Sequence, residues 1–410
     1  MDRNQLDPSV PSTTEAKKIP LIIKVYAVLC TLSGVGTLPS VAVFMWQVIT
    51  ALINGNVAAK LGDNTLVAVG LIVAGIMLSA ASAIILIVFG LDLIKDQRRN
   101  AARLSYVLIA FTVVELLVDV MLQGIGPFLL RPAVQLVILI ALSATVDPTL
   151  RQERELQRRL QEMLDRDAAA EGMLGRDETG EGYIKLNYFN LFWVFFVCSV
   201  LGLILEEVWH MVVVDPGVYQ DRAGMLFGPF SPIYGFGAVL MTMALNRFHD
   251  KPVPVIFLVS AVIGGAFEFF VSWFMETAFG AVAWDYTGTF LSIDGRTNGM
   301  FMAMWGMLGV LWIKALLPKM LDVVNLIPWK LRYTVTAIAT ALMLLNAIMT
   351  LQSLDCWYGR LSGHVPETPI EQFYATYFDN DFMANRFESM TINPDSATRG
   401  SGAPSDGALG

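Results

Sequence analysis

The residues able to do chemistry in this sequence are few, and they recur inside apolar runs. Glu206 and Glu207 close the stretch LGLILEEVWH, and His210 follows Glu206 by one helical turn. Glu268, Ser272 and Glu276 fall four apart in FEFFVSWFMETAFG, which places them along one stripe of a helix. Arg296 follows in WDYTGTFLSIDGRTNG, with Asp285 and Asp294 near it in sequence. An isolated charge at the centre of a membrane span costs about 2.5–3.5 kcal/mol by the lower estimates, so such a group faces a partner or water. Glu206 and Glu268 have apolar residues on both sides for several turns, which marks them for a polar interior site. Glu207 and Glu276 fit a wet headgroup layer at helix ends at least as well. Arg296 is the cation expected to offset Glu206 and Glu268 in one shared site. His210 beside Glu206 is weak support for a metal, and no metal site is assigned; Cys30, Cys198 and Cys356 are scattered without ligand spacing.

A second unusual feature is GMLFGPFSPIYGFG, Gly224 to Gly237. Pro229 and Pro232 remove backbone donors, and Gly228 and Gly235 permit turns and close approach, so the chain is expected to enter the membrane here as a non-helical loop. Such backbone is tolerated at depth only when buried in protein or lining a wet cavity. The alternative is a loop outside the membrane that merely caps the next helix. In either case Tyr234 is in a position to donate its hydroxyl to Glu206 or Glu268.

The elements that must hold these residues follow from composition. The chain has 410 residues, 55% hydrophobic and 16% charged, with a mean hydropathy of +0.56. That is too apolar for a soluble protein of this length, and the bilayer is the first partner implied. A formal charge of -8 argues against nucleic acid. A span needs about 20 apolar residues. Nine runs of roughly that size are expected, at about 21–52, 65–94, 104–122, 127–144, 189–213, 229–245, 254–279, 300–317 and 333–354. The fold class is therefore all-α, a polytopic membrane protein in two helical modules. The first module covers 1–146, and its first run is read as a retained anchor, with Gly34, Gly36 and Pro39 suggesting a kink. In its third run Glu115 and Asp119 lie four apart, on one helical face. Residues 147–187 read as a cytoplasmic amphipathic helix and tether, 188–354 as the second module, and 355–410 as a polar tail whose end is expected to be disordered. Lys and Arg concentrate in alternate loops, which predicts a cytoplasmic N terminus and an extracytoplasmic tail in the plasma membrane.

LGLILEEVW, DRAGMLFGPFSPIYGFG, FEFFVSWFMETAFGAVAWDYTGTFLSIDGR and WGMLGV, taken in order, resemble the bacterial family called putative ABC-transporter type IV. The resemblance covers roughly 188–317, and FYATYFDNDFMANRFESM is similar to the family's C-terminal stretch. It points to Glu206, Arg222, Gly224, Gly228, Pro229, Pro232, Tyr234, Gly235, Glu268, Glu276, Trp284, Asp285, Tyr286, Gly295, Arg296, Trp305 and Gly306. Where the family usually has Asn before Gly-Arg, this chain has Asp294. The resemblance implies a permease. No GxxxxGK[ST] phosphate loop occurs in the sequence, so an ABC system would need a separate ATPase subunit as partner. No cofactor is called for. Three readings stay open: a permease for a small solute, a membrane-embedded enzyme using Glu206 and Glu268 as acid and base, and a non-catalytic envelope assembly or regulatory protein. No catalytic residue is assigned, because no nucleophile-and-base pair or HExxH occurs.

Overall fold

The computed structural model describes residues 20–54, 65–145, 182–328 and 331–398, with Leu160, Met163, Leu164 and Asp167 of the insert. The linker helix and tether and the end of the tail otherwise lie outside the described residues. Apolar sequence with no water to satisfy its backbone has one economical solution, the helix. Helices α1 (Leu21–Ile53), α2 (Thr65–Ile94), α3 (Arg98–Gln123) and α4 (Leu130–Thr145) form the first of two compact units, except for the last turn of α3. α1 continues as helix through Pro39. Its core gathers Ala27, Cys30, Phe89, Leu93, Leu108 and Leu139. Close approach is required where α1 meets α2, because a Cβ on Gly90 would fall 2.3 Å from Thr31 Oγ1. Arg131 on α4 donates to Ser33 Oγ on α1 at 3.0 Å, and Glu115 interacts with Ser79 and Ser82 of α2.

The second unit contains α5 (Tyr188–Trp209), α6 (Pro232–Leu245), α7 (Val253–Phe279), α8 (Gly299–Leu311), α9 (Leu317–Asn325) and α10 (Arg332–Leu361). One π-helical turn, His210–Val214, extends α5, and another, Trp312–Leu316, joins α8 to α9. α5 packs along α6 and α7 along α8. Their shared core includes Val194, Met241, Leu245, Ile256, Trp305 and Trp312. Trp312 Nε1 donates to Thr242 Oγ1 at 2.9 Å, which satisfies two buried polar groups at once.

Seven described helices are long and apolar enough to cross a membrane. Two of the nine expected runs are not among these seven. The run at 127–144 folds as a 3-10 turn and a 16-residue helix, and the run at 229–245 begins as helix only at Pro232 and extends for 14 residues. At 1.5 Å per residue, α6 covers about 21 Å of a hydrocarbon core about 30 Å thick. The two prolines and Gly228 make the difference, since they hold the preceding residues out of the helix.

The linker end and the tail end of this unit lie at opposite ends. At the linker end, Asn246 after α6 accepts from the backbone N–H groups of Tyr183 and Ile184 at 2.8 and 2.9 Å and donates to the Ile184 carbonyl at 2.9 Å. At the other end the tail is folded. α10 runs on to Leu361, seven residues past the expected end of the run; α11 (Pro369–Tyr377) and α12 (Asn380–Arg386) follow, and β2 (Thr391–Ile392) pairs antiparallel with β1 (Ala281–Val282) after α7. A capping box of Thr368 and Glu371 starts α11. Burial would raise the Glu371 carboxyl, but the backbone N–H groups of Thr368 and Glu367 and the side chains of His364 and Thr368 outweigh it and hold it below its ordinary value. The aromatic residues of this tail make it a cap: Tyr374, Phe378 and Phe387 are buried.

Candidate functional site

α5 and α7 carry the same local arrangement. Gly202 is followed by Glu206 and Gly264 by Glu268, each pair one helical turn apart. A Cβ on Gly202 would lie 2.2 Å from Tyr234 Cβ, and one on Gly264 would lie 2.3 Å from Trp305 Cγ. Each glycine therefore makes room for an aromatic ring from the neighbouring helix, whose polar tip meets the glutamate one turn further on. Tyr234 of α6 interacts with Glu206, and Trp305 of α8 with Glu268.

The two carboxylates are satisfied differently. Glu206 accepts from Arg222 Nε at 2.8 Å, and Arg222 also donates to Gln220 Oε1 at 2.7 Å. Glu268 is 5% exposed; its oxygens accept one each from Tyr286 Oη and Thr297 Oγ1, both at 3.0 Å. Among the described residues no cation pairs with it. Burial, and then Glu268 itself, push the Tyr286 phenol well up, so it serves the carboxylate as a proton donor.

Tyr286 and Thr297 are delivered by the turn between β1 and α8. The Tyr286 N–H bonds the Gly295 carbonyl at 2.7 Å, and the Ile293 N–H bonds the Thr297 carbonyl at 2.8 Å. Trp284 Nε1 donates to the Arg296 carbonyl at 3.0 Å. Gly295 has φ 67 and a Cβ there would lie 2.6 Å from Asp285 Oδ1, so this position requires glycine. Asp294 has φ 52, a left-handed conformation that Asp and Asn share, and its carboxylate accepts from Arg296 Nε at 2.9 Å.

Between these helices lies a cavity of about 340 Å³. Glu206, His210, Arg222 and Glu268 give it polar corners. Trp209, Tyr234, Trp284, Tyr286, Phe301 and Trp305 give it aromatic walls. His210 is buried, and its Nδ1 has no hydrogen-bond partner among the described residues. A second, more apolar cavity of about 270 Å³ shares Leu205, Tyr234, Trp305 and Leu308 with the first and reaches Lys319 near the linker end. Among the described residues no group of three His, Cys, Asp or Glu side chains is placed to hold a metal ion.

Of the expected set Glu206, Glu268 and Arg296, the cavity lining holds the two glutamates, but the arginine there is Arg222. Arg296 pairs with Glu276 at 2.5 Å and with Asp294, at the cavity's margin. The loop after α5 turns Arg222 back onto its own helix. Glu207 accepts from Tyr219 Oη at 3.1 Å and does not line the cavity. Asp285 is exposed; the side chain and backbone N–H of Thr287 bond it and hold its carboxyl below the ordinary range, so it shapes the turn.

The loop before α6 is non-helical and buried at Ala223, Met225 and Leu226. Its backbone is satisfied by side chains. The Leu226 N–H donates to Thr350 Oγ1 at 2.9 Å, the Phe227 N–H donates to Asn346 Oδ1 at 3.1 Å, and Asn346 Nδ2 donates to the Phe227 carbonyl at 2.7 Å. Asn346 stands at the middle of the 30-residue helix α10, so the loop reaches the mid-height of a spanning helix. From the tail, Arg386 donates to the Met225 carbonyl at 2.7 and 2.9 Å, to the Gly228 carbonyl at 2.5 Å and to Asp221 Oδ2 at 2.8 Å. Gly228 takes φ 73, and Pro232 opens α6 in its first turn. Of the stretch from Gly228 to Gly235, Ile233 and Tyr234 line the cavity.

Asn346, Thr350, Arg386 and Thr297 were not singled out as site residues from sequence, and Tyr286 only through the family resemblance. The spacing of Asn346 and Thr350, four apart inside an apolar run, is a signal that was there to be read.

These features define a polytopic helical membrane protein with a polar cavity between its helices and a broken segment beside it. A family model described as Putative ABC-transporter type IV matches residues 193–351, which include α5 through most of α10. No curated protein and no solved structure matches the chain.

Proposed function

We propose that this chain is the solute-binding membrane subunit of a transport system whose ATP hydrolysis resides on a separate subunit. The observation that carries this reading is the cavity between α5, α6, α7 and α8, in which two carboxylates share an aromatic chamber beside a non-helical loop. Broken segments and charged groups near the middle of a helical bundle are how membrane carriers build a solute site. The loop is read as re-entrant: α6 spans about two thirds of a hydrocarbon core, and Asn346 and Thr350 supply hydrogen bonds that water would supply outside.

The linker end is read as cytoplasmic, in a plasma membrane. Lys185, Arg247, Lys251, Lys314, Lys319 and Arg332 lie toward that end, whereas the tail end carries Arg222, Arg296, Arg360 and Arg386 and no lysine. A reporter active only in the cytoplasm is expected to work after Gly175 and to fail after Leu361; activity at both would remove this orientation.

The decisive experiment is purification of the full chain from its native membrane in mild detergent, followed by an ATPase assay. An ATP-hydrolysing subunit is expected to accompany it, and Glu268→Gln is expected to lower the hydrolysis without lowering recovery of that subunit. Wild-type chain recovered intact with no ATPase activity would overturn the assignment to an ATP-driven system.

A further inference from the structure

We propose that the cavity takes a small organic cation, an amine or a quaternary ammonium, with its charge set against Glu268 and its alkyl groups against Trp209, Trp284, Trp305 and Tyr286. This deepens the transport reading by naming the class of solute, and it rests on that reading for its physiological meaning. Three observations converge on it.

The first is charge. Arg222 offsets Glu206, but Glu268 receives neutral donors on both oxygens and pairs with no cation among the described residues. The Tyr286 and Thr297 hydroxyls are placed to donate one to each oxygen when the carboxyl is ionised, so Glu268 has two neutral donors for its anionic form and, among the described residues, no paired cation. Glu206, Arg222 and an ionised Glu268 sum to one negative charge on the cavity. A buried charge of this kind is costly unless a counter-charge arrives, and a cationic solute is that counter-charge.

The second is the wall. Three indoles and a phenol, Trp209, Trp284, Trp305 and Tyr286, line this one chamber, and aromatic rings attract an ammonium most when the contact is desolvated. Tyr286 is fixed for this purpose, being stacked on Phe301 with ring centroids 4.5 Å apart. A hydrated inorganic cation gains little from such walls, and among the described residues no three His, Cys, Asp or Glu side chains are placed together to hold a metal ion. An anion would meet Glu268 first.

The third is His210. It lines the same chamber, it is buried, and its Nδ1 has no partner among the described residues. A hydroxyl or an N–H on the solute would satisfy it. A volume of about 340 Å³ lies at the small end of small-molecule sites, roughly 300–1,000 Å³.

The test uses the purified full chain in detergent, with tryptophan fluorescence and thermal unfolding as readouts. The probes are tetramethylammonium, choline and ethanolamine. The controls are 3,3-dimethylbutanol, the uncharged carbon counterpart of choline, and glutarate. At least one cation is expected to shift the emission saturably and to raise the unfolding temperature, with 3,3-dimethylbutanol at least about tenfold weaker. Glu268→Gln is expected to weaken that cation by about tenfold or more. Because that variant acts in a buried place, Trp209→Leu serves as a second one: Trp209 is half exposed at the lip, and its loss is expected to weaken the cation by about three- to tenfold. Equal binding of 3,3-dimethylbutanol, binding of glutarate in place of the cations, or no saturable effect from any of the three cations at millimolar concentration would each overturn the proposal. Binding is measured without ATPase or flux, so a bound cation with no transport would refute the transport reading alone.

Discussion

Glu206 on α5 and Glu268 on α7 occupy equivalent places in two similar helices and end in different chemistry. Both follow a glycine by four residues, and both meet an aromatic ring that rests on that glycine. The difference comes from the loops. The one after α5 returns Arg222 to Glu206, whereas the one after α7 presents Tyr286 and Thr297 to Glu268 and spends its own arginine on Glu276 and Asp294. A helix motif therefore sets where a carboxylate stands, and the loop that follows decides whether it is neutralised. The first glutamate is built as an ion pair that holds a loop; the second is left to meet something else.

The largest effect is expected from breaking what the two places share. Gly264→Val would drive its Cβ into Trp305, and Gly202→Val would do the same to Tyr234; each is expected to cost about 3 kcal/mol or more of stability. The check is apparent unfolding temperature in detergent, and near wild-type stability for either variant would mean that the helices do not depend on this close approach.

Next comes the asymmetry itself. Arg222→Gln strands Glu206 and is expected to cost about 2 kcal/mol, while Glu206→Gln combined with Arg222→Gln recovers most of that loss. Glu268→Gln is expected to cost less than about 1 kcal/mol, because the Tyr286 and Thr297 hydroxyls can turn to accept from the amide. Should Glu268→Gln prove the more damaging of the two single changes, Glu268 has a structural partner and the comparison fails.

A double-mutant cycle sharpens the same point. Coupling between Arg222 and Glu206 is expected at about 1–3 kcal/mol, and coupling between Arg296 and Glu268 below about 0.5 kcal/mol. Tyr286→Phe removes one of the donors to Glu268 and is expected to cost about 1 kcal/mol. That loss should shrink in a Glu268→Gln background, where the bond is no longer charge-assisted; if it is undiminished, Tyr286 acts through packing on Phe301 instead.

Much of this protein was legible one residue at a time. The glutamates stood out because carboxylates are rare in apolar runs, and Gly228, Pro229 and Pro232 announced a break because they cannot extend a helix cheaply. The choice of arginine was not legible. Arg296 and Arg222 both lie in short loops beside the candidate spans, and no periodicity tells which loop folds back over its own helix. The tail was read as polar chain, and its composition supports that, yet Arg386 reaches three backbone carbonyl and carboxylate partners on a loop about 160 residues earlier in sequence. Long-range partners of a single side chain leave no local pattern.

By itself the sequence determined the membrane class, the helical runs, the break before α6 and the two glutamates, because hydropathy, proline chemistry and helix period act over a few neighbouring residues. The tertiary structure alone decided that the two glutamates share a cavity, that Arg222 takes one of them, that Asn346 and Thr350 satisfy the broken backbone, and that the tail closes over it. Those outcomes depend on which surfaces meet when the helices pack, and packing joins residues through space that the order of the chain keeps far apart.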